Sequence, residues 1–408
     1  MRLWEEIESA GKRIRNAILR TPMIYSDTLS ALTGKEVFLK LENLQKGGSF
    51  KIRGAYNKLS QLDPAVGRRG VVAASAGNHA QGVAIASALL GIPSTIVMPE
   101  GASIAKQMAT RSYGGEVILS GQTTDEALEY AQKLAGDGKT FIHPFDDEQV
   151  VAGQGTIGLE ILHELPDLDG IVVPVGGGGL ISGIAALVKK KRPRVKIIGV
   201  QSKNAPAGFL SLKHKRRVDV KVKPTLADGI AIRRIGETNF PLLRRFVDEI
   251  ITVDEEEIAS AILLLMERKR VVAEGAGAAP LAALLAKKKK PGLKKVVLVI
   301  SGGNIDVNLL DRIIEKGLSQ TGRMVRLAVL LRDLPGSLSR LTHLIAEHRA
   351  NILHIVHERA DRDIPMGFSR VTLVLETRGP DHIREIQKGL NESGCVLQSR
   401  RSSNIRRL

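Results

Sequence analysis

A chain of 408 residues is long enough for two or three domains with cores of their own, and 43% hydrophobic with 25% charged residues excludes a disordered chain. The formal charge of +17 sits in scattered runs (189–192, 213–217, 287–290 and 400–407), and aromatic residues make up only 3%, too few for base-stacking platforms. This argues against nucleic acid as a partner and for solvated helix ends with a basic tail. A lone cysteine, Cys395, excludes an internal disulfide. The absence of a basic-then-apolar leader, or of any run of about 18 apolar residues, argues against secretion and membrane spanning, so a cytoplasmic setting is expected.

Apolar positions at helical spacing (Leu3, Ile7, Ile14, Ile18) predict a helix over 3–19, ended by Pro22. A strand follows over 36–41. Strand and helix then alternate: strands at 71–74, 94–98, 116–119 and 140–143, each followed by a helix, at 78–90, 104–113, 125–135 and 148–164. The alternation resumes with an apolar strand at 170–175, a helix at 180–191 and a strand at 196–201. Asp254 caps a helix to about residue 268, and 296–300 is a last buried strand. Short loops between such units define an α/β chain with open parallel sheets and helices on both faces. Near Gly322 the texture changes to a strand at 325–331, an amphipathic helix at 338–348, strands at 352–358 and 370–376, a helix at 381–391 and a strand at 395–399. This βαββαβ pattern predicts an appended ferredoxin-like module, with the boundary at 319–322.

Forty-one glycines, several of them clustered, point to close backbone approach to a ligand. The stretch Gly47-Gly-Ser-Phe-Lys-Ile-Arg-Gly54 sets Lys51 at a helix start after a Gly-Gly turn, with Ser49 as the expected cap. Flanked by Phe50 and Ile52, its amine can lose its proton more easily than a solvated one, as a Schiff-base lysine must. A lysine alone is weak evidence, since most are solvated charges; its company is the argument. Gly176, Gly177, Gly178 and Gly179 follow a wholly apolar strand and precede a helix, the setting in which backbone amides hold a phosphate. With neither a G-x-G-x-x-G fingerprint nor a P-loop Gly-Lys-Ser, a small phosphorylated cofactor fits better than a dinucleotide or nucleoside triphosphate. Ser75-Ala-Gly-Asn-His-Ala-Gln-Gly82 occupies another strand-to-helix turn and offers amides to a carboxylate, with Asn78 the expected ligand contact and His79 expected as a satisfied, partly buried histidine. Ser301-Gly-Gly-Asn304 again ends a buried strand.

Together, Ser49 to Gly54, Ser75 to Gly82, Gly176 to Leu180 and Ser301 to Asn304 resemble the motifs of the fold-type II pyridoxal phosphate enzymes, and more narrowly of the threonine and serine dehydratases, over residues 1–320. Residues 325–408, with Asp333-Leu-Pro-Gly-Ser-Leu338 and Asn351-Ile352, resemble an ACT regulatory domain. The combination is similar to the threonine ammonia-lyases that carry one C-terminal ACT domain. The resemblance implies a catalytic part over 1–320, with a small subdomain (about 42–145) inserted in a large one, and pyridoxal 5'-phosphate as cofactor. Lys51 would carry the cofactor and act as α-proton base, and Phe50 would pack on the ring. Asn78 would meet the ring hydroxyl, Gly176 to Leu180 the phosphate, and Ser301 the ring nitrogen. Amides of Ser75, Ala76, Gly77, Asn78 and His79 would hold the substrate carboxylate, and the cofactor phosphate would protonate the leaving group. Glu274 matches a family glutamate near the ring, though it also reads as a charge at a helix N-terminus. Relatives that racemise serine carry a second serine where this chain has Ala76, and hold a divalent cation with acidic residues where it has Gln201 and Ala207, so weak racemisation and no metal site are expected. The implied activity is dehydration of L-threonine and more slowly L-serine. A serine racemase or dedicated serine dehydratase, or an amino-acid-sensing binding protein on the same fold, stay open as alternatives. For the ACT part the resemblance implies an amino-acid effector such as isoleucine or valine, or a nucleotide, near Pro335, Gly336, Ser337, Leu338 and Asn351, and a homodimer or homotetramer.

Overall fold

The computed structural model describes residues 2–286 and 293–398. The basic runs at 287–290 and 400–407, and the expected strand end at Ser399, lie outside them. The chain divides into two compact units, Met1–Asp306 and Val307–Leu408.

In the first unit, short runs rich in Val and Ile become strands. They are β1 (Met23–Tyr25), β2 (Glu36–Leu41), β3 (Val71–Ala74), β4 (Ser94–Met98), β5 (Glu116–Leu119), β6 (Thr140–Phe141), β7 (Gly170–Pro174), β8 (Lys196–Ser202), β9 (Glu249–Val253) and β10 (Lys295–Ile300). Six form one sheet in the order β1-β2-β10-β7-β8-β9, parallel except for β1; the other four form a second, wholly parallel sheet in the order β5-β4-β3-β6. Strands β3, β4 and β7 are buried along their whole length. Burying each such Val or Ile stabilises by about 1.5–3 kcal/mol, enough to outweigh the ordering of its backbone. The second sheet is formed by residues between β2 and β7 of the first, as an inserted lobe.

Several helices begin on a side-chain cap. Asp147 accepts from the N–H groups of Gln149 and Val150 at 2.9 and 3.1 Å, and Asp254 forms a capping box with Glu257. Three expectations need correction. The first helix is Leu3–Ile14, five residues shorter than predicted, because its following segment is held by side chains from elsewhere: Gln45 bonds both N–H and C=O of Leu19, and Lys46 Nζ reaches Ala17 O at 2.7 Å. The helix after Asp254 is α-helical only to Leu264 and then widens into a π turn over Leu265–Lys269. Ser49 does not cap the lysine helix, Lys51–Leu59: it is extended and bridged to Gly302, with Phe50 at the cap position and no side-chain capping bond. Among the described residues no helix is long and apolar enough to cross a membrane.

The second unit opens with helix Val307–Gln320, at whose end the sequence texture changes. Four antiparallel strands follow, β11 (Met324–Arg332), β12 (Asn351–Glu358), β13 (Phe368–Glu376) and β14 (Val396–Gln398), in the order β12-β13-β11-β14. Helices Ser337–Glu347 and Pro380–Glu392 complete the βαββαβ unit, and Leu341, Ile345, Ile386 and Leu390 pack its core.

Candidate active site

In the first unit the carboxyl ends of β3, β7 and β10 open on a cavity of about 340 Å³. Every site residue the sequence singled out in this unit lines it: Phe50, Lys51, Ser75 to His79, Gly176 to Leu180, Glu274 and Ser301.

Lys51 is the first residue of its helix, with Nζ donating to Pro144 O at 2.8 Å and lying 5.3 Å from the centre of the Phe50 ring. Burial lowers its pKa from 10.5 to about 8, and the charge of Glu274 opposes that shift. The helix is fixed from below by Arg53, two residues on. Its buried guanidinium bonds Glu42 at 2.8 and 2.7 Å and Glu160 at 2.6 and 3.1 Å, and Glu160 also takes Lys40 Nζ at 2.6 Å. Burial disfavours the guanidinium charge, but the two carboxylates outweigh it and raise its pKa. This buried cluster of two cations and two carboxylates escaped the sequence reading, although Arg53 lies within the lysine motif.

The glycine cup follows β7. Gly178 adopts φ +102°, and a Cβ on Gly177 would fall 2.2 Å from the Phe145 ring, so neither position admits a side chain without rearrangement. The cup is clamped by neighbouring loops: Gly236 N–H donates to Gly177 O at 3.0 Å, and Asn239 Nδ2 reaches Phe145 O and Gly177 O at 2.8 and 3.3 Å. Asp146 holds the N–H groups of Glu237 and Thr238 at 2.7 and 3.0 Å. Helix Gly179–Lys191 starts from the cup, with its first N–H groups turned toward the cavity end.

On the opposite wall, Asn78 opens helix Asn78–Leu90. Its Nδ2 donates to both oxygens of Glu274 at 2.8 and 2.9 Å, and its Oδ1 accepts from Asn304 Nδ2 at 2.7 Å. Glu274 stands before helix Gly275–Leu285 but makes no capping bond. Burial raises its pKa to about 7, with the Asn78 amide opposing. His79 is buried, with Nε2 at 2.8 Å from Ile142 O; burial and then the Lys51 charge push its pKa down to about 3, so it is neutral. Ser301 follows β10 directly, and its carbonyl accepts the Phe50 N–H at 3.1 Å, tying the lysine segment to that strand end.

Gln201 is fully buried, Nε2 donating to Val175 O at 3.0 Å and Oε1 accepting from Phe209 N–H at 2.9 Å, while Ala207 begins the next helix. Among the described residues no three or more His, Cys, Asp or Glu side chains are grouped to hold a metal. The sequence reading also missed Lys106, Phe145, Gln154 and Asp228 as lining residues. Lys106 and Asp228 form a 3.4 Å ion pair there. Gln154, a polar residue within the apolar run Val150 to Ile157, was the one with a visible signal. Pro335 and Gly336 make the turn from β11 into the helix that starts at Ser337 and continues with Leu338; Asn351 opens β12, and all five belong to the second unit.

A model of the pyridoxal-phosphate dependent enzyme family matches residues 14–302, and a model of the ACT domain matches residues 325–392. The chain belongs to the pyridoxal-phosphate dependent enzymes and carries an ACT domain. It is 52% identical over 395 residues to an L-threonine ammonia-lyase of Thermotoga maritima, covering 97% of this chain and 98% of the relative. Among solved structures it resembles the processed form of threonine deaminase isoform 2 from Solanum lycopersicum (TM-score 0.74, 38% identity, 77% of this chain and 87% of the other). It also resembles maize serine racemase (TM-score 0.73, 35% identity, 78% and 98%). The cavity fits pyridoxal phosphate: an amine of lowered pKa and a cup of backbone that a single Cβ would fill line the same cavity, the cup at a helix N-terminus suited to a phosphate.

Proposed function

We propose that the chain is a cytoplasmic L-threonine ammonia-lyase, converting L-threonine to 2-oxobutanoate and ammonia and, more slowly, L-serine to pyruvate and ammonia. The observation that carries this reading is the Lys51 amine and the glycine cup lining one cavity, in a chain similar nearly end to end to an L-threonine ammonia-lyase. When bound, pyridoxal phosphate supplies a sink for the electrons left on the substrate α-carbon. Lys51, with a pKa near 8, carries the cofactor at rest and takes the α-proton once freed. Gly176 to Leu180 hold the phosphate, Phe50 packs on the ring, and Asn78, itself held by Glu274 and Asn304, meets the ring oxygen. Ser301, uncharged, does not favour a proton on the ring nitrogen, which suits prompt loss of the β-hydroxyl over transamination. The amides of Ser75 to His79 take the substrate carboxylate. Ala76, which lines the cavity, has no hydroxyl to return a proton on the opposite face, so racemisation is weak.

The ACT domain takes an amino-acid or nucleotide effector at Pro335 to Leu338 and Asn351, and the chain assembles as a homodimer or homotetramer, since such modules commonly pair. Initial rates on L-threonine and L-serine, with chiral analysis of residual serine, test the reaction. Faster turnover of L-threonine with little D-serine is expected, whereas rapid D-serine formation without keto acid would favour a racemase.

A further inference from the structure

Gln154 lies in helix Glu148–Glu164, 1% exposed, and lines the cavity beside Phe50, Lys51, Pro144 and Phe145. Its Oε1 accepts the N–H of Gly54 at 3.2 Å, which fixes which end of the carboxamide is which, since the reversed group would set N–H against N–H. The amide lies close against Gly54: a Cβ there would fall 2.3 Å from Nε2. Nε2 itself is buried and has no acceptor in the protein. Of the buried side-chain atoms without a partner among the described residues, this is the one that belongs to a residue lining the cavity, where a ligand atom would supply the missing acceptor.

The same wall offers an incoming oxygen little else. Pro144 has no N–H, Phe145 N–H is given to His143 Nδ1 at 3.2 Å, and Phe50 N–H to Ser301 O at 3.1 Å. With the phosphate at the glycine cup and the α-carboxylate at the amides of Ser75 to His79, the oxygen of L-threonine without a taker is the β-hydroxyl.

We propose that Gln154 is a substrate-contacting residue that selects β-hydroxy amino acids, its Nε2 donating a hydrogen bond to the β-oxygen. This rests on reading the chain as a dehydratase of such substrates. In that elimination the α-proton passes to Lys51 Nζ, and the Cβ–O bond breaks with its electron pair on oxygen. The oxygen takes one proton and leaves as water, the α-proton received by Lys51 balancing the one the oxygen gains. Gln154 gives up no proton; it shares an N–H with the oxygen as negative charge gathers there.

The test compares L-threonine with L-2-aminobutyrate, the same amino acid without the hydroxyl, on the full-length holoenzyme and its Gln154→Met and Gln154→Glu variants. Binding of L-2-aminobutyrate is followed by the change in cofactor absorbance. Both variants are expected to lower kcat/KM for L-threonine by about 10- to 100-fold while leaving the Kd of L-2-aminobutyrate within about two-fold. Gln154→Glu keeps an acceptor for Gly54 N–H, and answers alone should the methionine variant not fold. Equal losses for the two ligands would assign Gln154 to helix packing and overturn the proposal, as would unchanged L-threonine kinetics. Wild-type enzyme that binds L-2-aminobutyrate yet does not dehydrate L-threonine would instead overturn the reading of the reaction, and the proposal with it.

Discussion

At Lys51 two influences on an amine pull in opposite directions: enclosure among apolar groups favours the neutral form, and the carboxyl of Glu274 favours the charged one. Enclosure wins, because an ammonium loses more by leaving water than it regains from an acid that is itself only partly ionised near neutrality. The consequence is legible in stability. Glu274 has a pKa of about 7 in the fold against 4.5 in the open chain, so between those values the folded protein binds more protons and stability falls as pH rises through the window. Lys51 works the other way, its destabilising charge being relieved as pH climbs from about 8 toward 10.5. The cofactor-free wild type is therefore expected to lose roughly 3 kcal/mol more between pH 5 and pH 8 than Glu274→Gln, measured by urea unfolding. Parallel pH profiles for the two proteins would refute this assignment.

Among the elements, the turn from β7 into helix Gly179–Lys191 shows how local sequence makes a binding surface. Four glycines after a buried strand leave bare backbone, and Phe145 occupies the space a side chain on Gly177 would need. Gly177→Ala is expected to weaken pyridoxal phosphate binding by about 10- to 100-fold in a spectroscopic titration while the far-ultraviolet spectrum is kept; unaltered affinity would mean that the phosphate lies elsewhere. Elements of this kind were readable because their signals are local. Strands β2 to β5 and helices Asn78–Leu90 and Glu148–Glu164 stand where periodicity and caps put them. The illegible parts depend on distant chain. Ser49 is drawn into a bridge with Gly302, and the first helix stops where Gln45 and Lys46 take over. Arg53 owes its place to carboxylates on two other elements, Gln154 reaches the cavity from helix Glu148–Glu164 packed against the lysine helix, and Phe145 is held there by Asn239. Strand β1, three residues long, and helix Asn239–Phe246, about two turns, carry too few residues to show a period.

For the whole molecule, two compact units in one chain pair a catalytic body with a module whose antiparallel sheet and two helices match an ACT domain. If that module is a sensor, isoleucine or valine shifts the L-threonine saturation curve of the full chain, and Asn351→Ala blunts the shift without changing the basal kcat. Identical curves across branched-chain amino acids and AMP would leave the module an assembly part only. Beneath regulation and specificity lies one chemical claim, that the amine of Lys51 carries the cofactor. Reduction of the holoenzyme with borohydride followed by peptide mapping tests it most directly: a single pyridoxyl-bearing peptide spanning Lys51 is the predicted result, and a label on another lysine, or none, would contradict it.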